Sequence, residues 1–119
     1  MDLIMNKEEQ TEKEKTVYHY ILIRKDLPAS VQMVNAVHAA GESIIDAPIP
    51  STTRAVLLGV DNEEMLLSYF EKLKTKNIHY VLIREPDEPY NGAAMAIGIA
   101  PSDRRNMLRK LFHHLETLK

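Results

Sequence analysis

Four stretches of this chain are apolar almost without interruption, and that continuity narrows the possible folds more than any other feature. Val17, Tyr18, Tyr20, Ile21, Leu22 and Ile23 form the first, Ala55 to Val60 the second, Ile78 to Ile83 the third and Ala93 to Ala100 the fourth. A strand with one wet face alternates polar and apolar side chains, whereas a run rich in Val, Ile, Leu and Tyr needs cover on both faces. Three segments between and after these runs repeat at helical spacing and supply the cover. Met33, Val34, Val37, Ala40 and Ile44 predict the first helix. Met65, Leu66, Tyr69, Phe70 and Leu73 predict the second, and Met107, Leu108, Leu111, Phe112 and Leu115 the third. Ser30, Asp61 and Ser102 stand where N-caps belong. The expected order is β-α-β-α-β-β-α, an α/β three-layer α/β/α sandwich around a four-stranded mixed β-sheet.

Residues 6–15 contain no apolar side chain, so nothing repays the entropy of ordering them. Residues 1–15 are therefore read as a flexible charged tail and 16–119 as one domain. Residues 1–16 carry five acids against three lysines, which leaves twelve acids and twelve bases for the remainder. A neutral body argues against bulk coating of nucleic acid and leaves room for a local patch. Arg104, Arg105, Arg109, Lys110 and Lys119 give the last 19 residues such a bias. The chain has no cysteine, which removes disulfides, thiolate nucleophiles and Cys-ligated metals and fits a reducing compartment. With no apolar run of membrane-spanning length, a cytoplasmic location and no membrane partner are expected.

Glycine-rich phosphate loops, G-x-S-x-G elbows and H-E-x-x-H helices are all missing. His113 and His114, adjacent on an expected helix, diverge by about 100° and make a poor metal clamp. No metal or other cofactor is therefore expected. Asn35, His38 and Glu42 fall along one strip of the first helix, with His38 and Glu42 able to pair at i, i+4. Ligands of α/β sheets collect beyond strand ends, and the loop from Arg84 to Gly92 brings Glu85, Asp87, Glu88, Tyr90 and Asn91 to such an end. Arg24, Lys25 and Asp26 close the first strand and join this set. The plain structural alternative is a half-buried His38 and a surface turn stiffened by two prolines.

Three segments in order resemble the type 2 peptidyl-tRNA hydrolases. Ile21-Leu-Ile-Arg-Lys-Asp-Leu27 resembles that family's V-V-R-x-D-L strand, Val34-Asn-Ala-Val-His-Ala-Ala40 its A-Q-C-x-H-A helix, and Ala96-Ile-Gly-Ile-Ala-Pro101 its L-G-I-G-P turn. The resemblance implies the same three-layer fold, a homodimer, and metal-independent cleavage of the ester between a peptide and the 3′-terminal ribose of tRNA. It aligns Asn35 with the family glutamine, Glu85 with the loop aspartate and Val31 with a lysine, and the loop after the third strand has no threonine. The glutamic and proline-rich loop looks like that of a divergent bacterial subgroup. Asn35, His38 and Glu85 are thus the expected catalytic set. Arg24, Lys25, Asp26, Arg84, Tyr90 and Asn91 are the expected contacts to tRNA or peptidyl-tRNA. The other class left open is a non-catalytic module that binds RNA or protein.

Overall fold

Leu22 and Ile23 are sealed from solvent on opposite faces of a single strand, as the continuous apolar run requires. In the computed structural model, which describes residues 16–46 and 48–118, that strand is β1 (Tyr18–Arg24). The expected tail, residues 1–15, lies outside the described residues. There follow α1 (Ala29–Glu42), β2 (Arg54–Val60), α2 (Glu63–Leu73), β3 (Tyr80–Glu85), β4 (Ala93–Ile99), α3 (Arg105–Leu111) and β5 (Glu116–Thr117).

One mixed sheet runs in the order β3-β4-β1-β2-β5. β1 and β2 are parallel, whereas β4 is antiparallel to both β1 and β3, so the carboxyl ends of β1, β2 and β3 share one edge. The sheet has five strands rather than the expected four. The fifth is only two residues long and pairs antiparallel with Leu58 and Gly59. So short a segment carries no periodicity to read, and the last helix stops before it, at Leu111.

Side-chain parity divides the core. Tyr20, Leu22, Leu58, Val60, Ile97 and Ile99 face α2 and α3, packing against Leu66, Tyr69, Leu73, Leu108 and Phe112. Ile21, Ile23, Ile83 and Ala96 face α1 and meet Ala39. Three helices in two layers therefore cover both sheet faces. The capping differs in detail from expectation. Asn62, one residue past Asp61, caps α2 by accepting from the Met65 N–H at 2.9 Å. Ser30 lies inside α1, whose start has no side-chain cap. Ser102 receives the Arg104 N–H at 3.0 Å just ahead of α3.

The largest correction concerns the face that α1 buries. Its hydrophobic positions predicted an inward stripe of Met33, Val34 and Val37, yet all three are exposed, Val37 at 73%. Asn35, Ala39 and Ser43 point to the sheet. The cause lies beneath the helix at Gly98. A Cβ there would stand 2.8 Å from both the Ala39 carbonyl carbon and the Ser43 hydroxyl, so the helix rides on the bare strand backbone. Such close approach admits only small or hydrogen-bonded inward residues.

Candidate functional site

The first turns of α1 and the loop after β3 enclose a cleft of about 330 Å³. Glu85 reaches it by strand parity, because Ile83 and Val81, two and four residues earlier, already face α1. The ladder between β3 and β4 shifts register after Ile83, where Arg84 pairs with Ala94 and Met95 is the extra residue of a bulge. From Glu85 the chain turns back through Asp87, whose carbonyl receives the Tyr90 and Asn91 N–H groups at 2.9 and 3.0 Å. Asn91 at φ 47° and Gly92 at φ 90° provide the left-handed residues that close the turn. The Glu88–Pro89 peptide is cis.

Asn35 enters the same cleft from α1. It is buried, and its Nδ2 donates to the Val31 carbonyl at 2.9 Å, which leaves the second amide hydrogen for another acceptor. Glu85 Oε1 accepts the Asp87 N–H at 3.1 Å, so its carboxylate is oriented while keeping further lone pairs. Tyr90, Asp87 and Glu88 complete the loop wall, with Ser30, Val31 and Val34 opposite. The cleft thus pairs one buried amide with three carboxylates and an apolar helix surface.

The other sequence candidates sit elsewhere. His38 lies on the outer side of α1, 59% exposed, with Nδ1 3.9 Å from Glu42, and does not line the cleft. Arg24 shares its face with Tyr20 and Leu22, the side covered by α2 and α3. All three of its guanidinium nitrogens donate: Nε and Nη2 to the two Asp26 oxygens, both at 2.9 Å, and Nη1 to the Ala94 carbonyl at 2.9 Å. That fork holds Asp26 below its ordinary pKa and Arg24 above its own, the shared hydrogen bonds being the largest cause for each. Lys25 runs over Gly59 to Asp61, with Nζ 3.2 Å from the carboxylate. Arg84 donates to the Gly92 carbonyl at 2.9 Å and so fastens the loop, while Asn91 folds onto the Pro89 carbonyl at 3.4 Å. The structure therefore gathers Asn35, Glu85 and Tyr90 and turns the neighbouring cations to structural bonds.

Sequence reasoning overlooked one polar pair beneath α1. His19 Nε2 lies 2.7 Å from Ser43 Oγ, and Ser43 donates to the Ala39 carbonyl at 2.6 Å. With the serine proton so used, His19 is the donor, protonated on Nε2 and neutral. Burial pushes its pKa below the ordinary histidine value. A histidine inside an otherwise apolar strand was the available signal. His113 and His114 also differ from expectation: α3 ends before them, so both fall in a turn and their rings approach to 3.7 Å between centroids. Among the described residues no three His, Asp or Glu side chains are placed to hold a metal ion, and no helix is long and apolar enough to cross a membrane. The chain matches no family model and no curated protein.

Proposed function

We propose that the chain is a metal-independent ester hydrolase of the peptidyl-tRNA hydrolase type, acting in the cytoplasm as a homodimer on the ester that joins a peptide to the 3′ ribose of tRNA. One observation carries this reading: a buried amide, Asn35, and an oriented carboxylate, Glu85, line a single cleft at the carboxyl edge of the parallel strands. Glu85 accepts a proton from water as its oxygen attacks the ester carbonyl. The free N–H of Asn35 stabilises the developing oxyanion, the bond to the ribose oxygen breaks, and that oxygen takes up the proton held by Glu85. The exposed Met33, Val34 and Val37 supply an apolar face for a second copy.

Incubating the protein with peptidyl-tRNA and following the release of free tRNA tests the proposal. Asn35→Ala should lower turnover by about 10²- to 10³-fold with little change in KM, as expected for the loss of an oxyanion donor. Glu85→Gln should abolish the rate while keeping the loop bond to Asp87. If the unaltered protein releases no tRNA, the esterase reading fails.

A second reading, the binding module, has its own support in the charge of the cleft. Glu85, Asp87 and Glu88 line it together, no Lys or Arg does, and Val31 stands where the resemblance aligns a lysine. Such a site favours a cationic group and repels phosphates. Under that reading an amine-bearing peptide binds without turnover, and Glu85→Gln weakens its binding.

A further inference from the structure

On the opposite side of the sheet, the end of α2 and the end of α3 with its following turn enclose a groove of about 500 Å³. Lys72 and Lys76 line it from the α2 side and Lys110, His113 and His114 from the α3 side. No carboxylate lines it, and no ion pair among the described residues involves the three lysines. We infer that this groove binds single-stranded nucleic acid, with the lysines on successive phosphates and bases against the exposed imidazoles of His113 and His114.

The charge surplus is the first support. Two helix carboxyl termini meet here, each equivalent to about half a negative charge, and three ammonium groups exceed that by about two. Lysines serving only to offset the helix dipoles would not need to be so many. The second support is shape. An adjoining cavity of about 260 Å³ shares His113 and adds Arg109, so the cation-lined surface continues beyond the groove itself. Spaced cations fit the repeated phosphates of a strand, where a single free phosphate would use one of them.

The surfaces between the cations provide the third. Tyr69 is buried, with the Lys72 ammonium 4.6 Å over its ring, whereas His113 and His114 are exposed and their rings meet at 42° with centroids 3.7 Å apart. Flat rings set among ammonium groups are what bases stack upon, whereas acidic peptides and lipid headgroups offer nothing to stack. The groove is independent of the Asn35 and Glu85 cleft, which lies across the sheet under α1.

Fluorescence anisotropy of a labelled oligothymidylate with the full chain tests the inference, and ester cleavage plays no part in the readout. Binding should weaken steeply with salt, with a slope of log K against log salt of about −2 to −3 if three or four phosphates are engaged. Lys72→Glu, Lys76→Glu and Lys110→Glu together should lower affinity at least tenfold, and the triple arginine variant should keep it. Should charge reversal disturb the melting temperature, the triple glutamine variant is used, with the same expected loss. No binding at low salt, affinity unchanged by either neutralising or reversing the lysines, full displacement by millimolar inorganic phosphate, or equal binding of polyglutamate or phosphatidylserine vesicles would each overturn it.

Discussion

His19 shows how one buried side chain ties folding to pH. Its imidazole is neutral beneath α1, with Nε2 committed to Ser43 and its pKa lowered by burial. In the unfolded chain the same group takes a proton as pH falls through about 6.5. Below that pH the unfolded state binds a proton the native state refuses, so stability declines until the native pKa is passed; above it this contribution is fully present. Urea midpoints of the unaltered protein should therefore drop between pH 7.5 and pH 5. His19→Gln, which keeps a donor but does not titrate, should flatten that drop while costing about 1 kcal/mol at neutral pH through imperfect packing. An equally steep pH dependence in the variant would assign it to other groups. At this scale the sequence was informative about residue type and silent about direction. Arg24 and Lys25 read as free cations at a strand end, but nothing local foretells that one forks onto Asp26 and the other crosses Gly59 to Asp61.

Among the elements, α1 departs most from its own hydrophobic pattern. Strands β1 to β4 were legible because burial on both faces leaves a continuous apolar run, and α2 because Leu66, Tyr69 and Leu73 both repeat and point inward. In α1 the apolar period marks the outer surface, since contact with the sheet is made through Ala39 and Ser43 over Gly98. Hydrophobicity cannot report a seam built by backbone approach. Two substitutions separate these faces. Gly98→Ala must push the α1 backbone away and should cost about 1 to 3 kcal/mol in urea unfolding. Val37→Asp, exposed on the other side, should change monomer stability by less than about 0.5 kcal/mol. If Val37→Asp proved the more damaging to the isolated chain, the outward placement of this face would be wrong.

For the whole molecule, the pairing of Asn35 with Glu85 depends on contacts that no local window contains: α1 must lie over β3, and the parity of β3 must turn Glu85 toward it. The same holds for the lysines, where the basic bias of the last segment was visible but its meeting with Lys72 and Lys76 was not. The dimer proposed for this chain uses the Met33, Val34 and Val37 face, so sedimentation should show Val37→Asp shifted toward monomer; an unchanged dimer would place the contact elsewhere. The two-residue β5 acquires another meaning here. β2 would otherwise offer its unpaired backbone to solvent along one margin of the sheet, and the bonds at Leu58 and Gly59, with the Leu118 N–H given to the Leu57 carbonyl at 2.9 Å, occupy that margin. A chain cut before Glu116 would present β2 as a template for strands of other molecules. Its first failure would then be colloidal, with clumping and cross-β growth at temperatures where the individual fold still survives.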